Sequence, residues 1–172
     1  MTISFNPEWF KSAYYVYVLK IVHETKGHFF YIGQTGDRNH ISARSPFYRL
    51  MGHYNTYNFS KGTDAQLVKG LFVNDLIKHT EGNSKRVCVE EAIVNKVIIL
   101  TANYFKIQNF GDVDHKLTTK TVEHIELKLI GLFRAKGYNL FNDENKIGDK
   151  KKLMADAEID EKADTIFKLL KL

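Results

Sequence analysis

The chain has 172 residues, 44% hydrophobic and 13% aromatic, with a net charge of +5. That is enough for one domain with a real core and too little for two of ordinary size, so disorder is not the default reading. A single Cys88 excludes an internal disulfide framework and a Cys-cluster zinc site.

The start, MTISFNPEWF, lacks a basic segment followed by an apolar one. No stretch approaches the roughly 20 apolar residues of a membrane span, so the expected compartment is the cytoplasm. Charge is unevenly placed. From residue 143 onward seven Lys face eight Asp or Glu, which leaves residues 1–142 with 18 basic against 12 acidic groups. A moderately basic body suits a polyanion, because each neutralised phosphate releases counterions. Nine Tyr and twelve Phe exceed what a core strictly needs, which is compatible with nucleic-acid contact.

Two β-branched and aromatic runs open the chain, Ala13 to His23 (AYYVYVLKIVH) and His28 to Gln34 (HFFYIGQ). The short polar link Glu24-Thr25-Lys26-Gly27 joins them and predicts a β-hairpin. It would place Tyr15-Val16-Tyr17 and Tyr31-Ile32-Gly33 on adjacent strands. The turn-rich TGDRN follows, then SPFYRLMGHY, where Ser45 is a candidate N-cap and Pro46 suits a first helical turn. A helical period runs from about Asp64 to His79 and breaks at EGNSK. Residues 94–105 (VNKVIILTANYF) are the strongest third-strand candidate, while 86–93 reads equally as strand or helix.

Thr121 to Lys136 is the clearest helix. Val122, Ile125, Leu129, Leu132 and Phe133 share one face, and Gly137 supplies a stop. A polar stretch precedes a last amphipathic segment, about Leu153 to Leu172, expected to pack on its own domain or on a second subunit. The fold class expected is α+β, with a small central antiparallel sheet (the hairpin plus a third strand) flanked by helices.

Three chemical features follow in order. The hairpin carries Tyr17 and Tyr31, then Arg49 and His53 stand at i and i+4 on one helix face, and Glu126 lies in E-x-x-L-I on the long helix, with Asn139 beyond it. Each alone has an ordinary explanation: β-forming tyrosines, a solvated helix face, a surface carboxylate. Glu123, one turn earlier, rivals Glu126, and Arg38 and Arg44 rival Arg49 from a loop suited to touching DNA backbone. His40, His79, His115 and His124 have no metal-ligand spacing.

Together the ordered set YVY, hairpin turn, YIGQT, R-x-x-x-H, E-x-x-L-I and Y-N resembles the GIY-YIG nuclease superfamily, over most of residues 14–142. Tyr15 stands where that family's first motif has Gly, and residues 55–120 are longer than in its minimal members. The resemblance implies a domain over 1–142 with an insertion at about 55–120, followed by a helical extension over 143–172. It implies a phosphodiester-cleaving DNA endonuclease acting on double-stranded DNA, with Glu126 as sole protein ligand of Mg2+ (or Mn2+). Arg49 would clamp the scissile phosphate, Tyr17 would orient or deprotonate the attacking water with help from His53, and Tyr31 would hydrogen-bond the phosphate. Gly33, Arg38, Arg44 and Asn139 would line the DNA side, Gly33 by letting backbone pass close and Asn139 by fixing local geometry.

By analogy the natural role is a small type II restriction enzyme, since recognition and cleavage share one compact chain. Such an enzyme cuts as a homodimer or by sequential nicking. The alternatives are a phage or mobile-element homing or nicking enzyme, and a catalytically silent nucleic-acid-binding module of the same fold.

Overall fold

The computed structural model describes residues 7–37, 41–54, 66–111, 114–142 and 156–172. A short 3-10 turn, Pro7–Phe10, precedes strands β1 (Ala13–His23) and β2 (Gly27–Gln34). The connection closes as the sequence predicts: Gly27 takes φ +84°, in the left-handed region, and His23 pairs with it across the hairpin. His23 stabilises the turn from within. Its Nδ1 accepts the backbone N–H groups of Thr25 and Lys26 at 3.1 Å each.

The register that follows sets Tyr17 opposite Gly33 and Leu19 opposite Tyr31. β3 (Ile98–Asn109) pairs antiparallel along the other edge of β1, bringing Tyr104 opposite Tyr17. Strand order is β3-β1-β2-β4, where β4 is only Asn139–Leu140 and runs parallel to β2. The sheet is therefore mixed rather than purely antiparallel. β3 is an edge strand of the four and pairs along β1, so the segment over about 55–120 includes a strand of the sheet itself.

Both faces of the hairpin are covered, which explains why β1 is apolar at nearly every position. Tyr14, Val16, Val18, Phe30 and Ile32 face one core together with Val122, Ile125, Leu129 and Phe133. Those four come from α4 (His115–Ala135), the long helix of the fold. Tyr17, Leu19, Ile21, Phe29 and Tyr31 face the other core, with Leu67 and Leu71 of α2 (Gln66–Val73) and Cys88, Val89 and Ala92 of α3 (Lys85–Val94). α1 (Pro46–Tyr54) lies on that second side, and its start is pinned by the Tyr104 hydroxyl donating to the Pro46 carbonyl at 3.1 Å.

Four segments differ from the sequence expectation or are left open by it, each for a local reason. The third strand, expected over 94–105, runs over Ile98–Asn109, because α3 extends to Val94 and Lys96 takes φ +59° in the turn that follows. The helix expected over 64–79 ends at Val73, because Asp75 adopts φ +52° and Lys26 reaches across to the carbonyls of Asn74 and Asp75. Its first two residues, 64 and 65, lie outside the described residues. The ambiguous 86–93 segment is helical, since Ser84 caps it by accepting from the Val87 N–H. α4 starts six residues before Thr121, capped by Asp114 accepting from the Leu117 N–H at 2.9 Å.

The last helix, α5 (Ala157–Leu169), packs on its own domain. Ile159, Ala163 and Ile166 join the α4 core, and Lys128 pairs with Asp160 at 2.7 Å. No helix among the described residues is long and apolar enough to cross a membrane.

Candidate active site

Tyr17 is the centre of the site, with 0% of its surface exposed. It can sit there because Gly33 stands opposite. A Cβ on Gly33 would fall on the phenol, coming within 2.9 Å of Tyr17 Cε2 and closer still to the hydroxyl end. The space over Gly33 is thus filled by the ring of Tyr17 and is not open to DNA backbone, which corrects the expectation for that glycine.

Around the phenol lie Tyr31, His53 and Tyr104, with ring centroids 6.3, 5.7 and 5.2 Å from that of Tyr17. The Tyr17 hydroxyl is 2.6 Å from His53 Nε2. The Arg49 charge and the Tyr31 hydroxyl both ease ionisation of the same oxygen. A neutral imidazole offers one nitrogen as acceptor, so a proton on the Tyr17 hydroxyl can be received by His53 Nε2.

The electrostatics agree with that allocation. Burial, then the charge of Arg49, holds His53 down at about 4, so its imidazole is neutral. Burial pushes Tyr17 up to about 12; Arg49 opposes the rise and Glu126 adds to it. Tyr31 is raised further, again chiefly by burial and then by Tyr17 and Glu126. For Arg49, burial works against the charge, but Tyr17, Tyr31 and Glu126 outweigh it and leave its pKa above the ordinary value. A fixed guanidinium charge therefore stands beside two neutral phenols and a neutral imidazole.

His53 also links the site to stability. Its folded pKa, about 4, lies below its ordinary 6.5, so the unfolded chain binds the proton more tightly. The stabilisation is full above pH 6.5 and is lost as pH falls towards 4, a difference on the order of 3 kcal/mol. Urea unfolding at pH 7 and pH 4 should show this loss in the wild-type protein and a much smaller one in His53→Gln. Equal losses in both would place the acid-sensitive group elsewhere.

A cleft of about 270 Å3 opens beside the cluster, walled by Tyr31, Arg44, Tyr48, Arg49, Gly52 and His53 among others. Arg49 Nε is buried there, and it has no hydrogen-bond partner among the described residues. Arg44 pairs with Asp37 at 3.1 Å and lies 5.4 Å over the Tyr48 ring. Glu126 is half-buried on α4, and its charge bears on Tyr17, Tyr31 and Arg49. Its rival Glu123 is 4% exposed, buried within α4.

No three His, Cys, Asp or Glu side chains among the described residues converge into a metal-holding group. The donor chemistry fits only a cation that draws most of its ligands from water and phosphate, with Glu126 as one carboxylate. Arg38 and His40 lie outside the described residues. His115 joins Tyr14 and the Asp37 carbonyl rather than a metal.

Asn139 is exposed and donates to the His28 carbonyl at 3.3 Å, at the opposite end of β2 from Gly33. The residue that fixes geometry beside the tyrosines is one that sequence reasoning passed over. Asn142 accepts from the Ile32 N–H at 2.9 Å and donates to the Ile32 carbonyl at 2.7 Å, clamping the strand between Tyr31 and Gly33. Tyr104, Tyr48 and Gly52 were missed as well. Only the i, i+4 relation of Tyr48 to Gly52, one position ahead of Arg49 and His53, could have drawn notice to the last two. No protein-family model matches the chain, and comparisons with curated proteins and with solved structures give no match.

Proposed function

We propose that this chain is a DNA endonuclease of the GIY-YIG type, hydrolysing phosphodiester bonds in double-stranded DNA with Mg2+ (or Mn2+) held on Glu126. The observation that carries the reading is Arg49: a part-buried guanidinium whose buried Nε lacks a partner among the described residues, at the wall of a cleft and beside two phenols. An orphaned buried donor costs about 1–3 kcal/mol, and a phosphate oxygen would satisfy it with a charge-assisted bond. The basic body of the chain supports a polyanionic substrate.

The division of labour is read from the short Tyr17–His53 contact. With Arg49 and Tyr31 turned to the phosphate oxygens that gain charge, the Tyr17 oxygen takes a proton from the attacking water as Tyr17 passes its own to His53 Nε2. The resulting hydroxide attacks phosphorus as the P–O bond to the departing strand end breaks, and the leaving alkoxide takes a proton from solvent. A bound phosphate also offsets the charge of Arg49, the second influence holding His53 down, so substrate binding makes His53 a better proton acceptor. When bound, a divalent cation neutralises the phosphate and the leaving oxygen.

In a plasmid assay with Mg2+, wild-type protein should convert supercoiled DNA to nicked or linear form. Glu126→Ala should lose at least about a hundredfold in rate while still shifting DNA on a gel. A wild type that binds DNA and never cuts it would leave only a silent binding module. Sequencing the ends of digested genomic DNA then tests the restriction role: discrete ends sharing one short sequence support it, and scattered ends oppose it.

A further inference from the structure

We infer that the exposed face of α1 next to the catalytic cleft is a nucleobase subsite, with Tyr48 as its stacking platform, Arg44 as its cationic flank and Gly52 as the gap that admits the strand. This rests on the nuclease reading and names what holds the nucleotide beside the scissile phosphate.

Tyr48 and Arg49 are neighbours with opposite fates. Arg49 turns inward to Tyr17, while Tyr48 leaves 61% of its surface exposed at the mouth of the same cleft. A large aromatic ring in that position gains little from the chain's own packing. One contact it does have is the Arg44 guanidinium, 5.4 Å from its centroid. Aromatic rings flanked by arginine are what nucleic-acid grooves use to hold a base, stacking on its π-face beside a cation for the phosphate.

Gly52 is the second, independent observation. It lies in the last turn of α1, where glycine is still a poorer helix former than alanine, and its φ is not in the left-handed region. A Cβ there would meet nothing within 4 Å among the described residues, so their packing gives no reason for a glycine. It sits four residues after Tyr48, hence on the same face, and it lines the cleft. A missing side chain beside an exposed ring leaves room for a sugar and base against the helix. Among the described residues the cleft wall carries two arginines, of which Arg44 is paired with Asp37 and Arg49 brings a further positive charge, which fits one strand of a polyanion.

The test measures anisotropy of a fluorescein-labelled oligothymidylate in EDTA, with an abasic strand of equal length as comparison and plasmid cleavage in Mg2+ alongside. Tyr48→Ala should weaken oligothymidylate binding by about tenfold and abasic binding by less than about twofold, whereas Tyr48→Phe should bind like wild type. Gly52→Ala should raise Tm and still weaken binding, a pairing that a purely structural role would not produce. If wild type cuts plasmid DNA and Tyr48→Ala binds oligothymidylate as tightly as wild type, the subsite is wrong and the nuclease reading stands. Equal losses on both strands would also overturn it, by making Tyr48 a backbone contact. If wild type neither binds nor cuts DNA, the nuclease reading fails first and the subsite with it.

Discussion

Replacing Tyr17 by Phe is expected to slow DNA cleavage by about 10^2–10^4-fold while changing DNA affinity by less than about threefold. The substitution keeps the ring that fills the space over Gly33 and meets Tyr31 and Tyr104, and removes one hydroxyl. In the proposed mechanism that hydroxyl is the link through which a water proton reaches His53 Nε2, 2.6 Å away. The folded state should lose about 1–3 kcal/mol, because His53 Nε2 is left buried without its partner. Single-turnover cleavage and anisotropy on the same DNA separate rate from binding. Equal losses in the two would make Tyr17 a positioning residue and return the base role to another group.

Gly33→Ala should be the most damaging one-carbon change in the sheet. The added methyl would overlap the Tyr17 phenol, so the phenol must move, and it sits in a core walled on every side. Overpacking of this kind costs about 1–3 kcal/mol. Moving the hydroxyl also takes it away from His53 and Arg49, so the rate should fall nearly as far as in Tyr17→Phe. In the double variant the rate losses should not add, because both break the same link, whereas the stability losses should largely persist. Urea melts and single-turnover rates on the three proteins decide this. A Gly33→Ala protein as active and stable as wild type would mean that the phenol has another place to go.

Much of this site was legible before any coordinates. Runs of β-branched and aromatic residues around a Gly-containing turn specify a hairpin, and its register follows from the turn, so Tyr17 and Tyr31 could be placed on neighbouring strands. Arg49 and His53 needed only the pitch of a helix. What stayed hidden depends on partners remote in sequence. β4 is two residues long, too short for any periodicity, and exists because Phe29 and Phe30 offer it a parallel edge. Asn142 matters because of backbone groups 110 residues away, and nothing in NDEN distinguishes it from Asn139, which the motif reading preferred.

The first turns of α4 were missed because HKLTTK has no apolar stripe; a capping aspartate starts the helix there, not burial. Gly33 shows a different limit. The sequence correctly marked a close approach, but the partner is the chain's own tyrosine.

The order of the strands carries a consequence for how activity arises as the chain folds. β1 and β2 are joined by a tight turn and can zip together in microseconds, but β3 must return from some eighty positions downstream to pair with β1. Tyr104 arrives with it and supplies the bond that holds the start of the helix bearing Arg49 and His53. The tyrosines therefore find each other early, and the arginine and histidine are fixed only after this long-range pairing of β3 with β1 is made. A partly folded chain holds a tyrosine hairpin with no chemistry in it, so in refolding the recovery of cleavage should trail the appearance of strand structure.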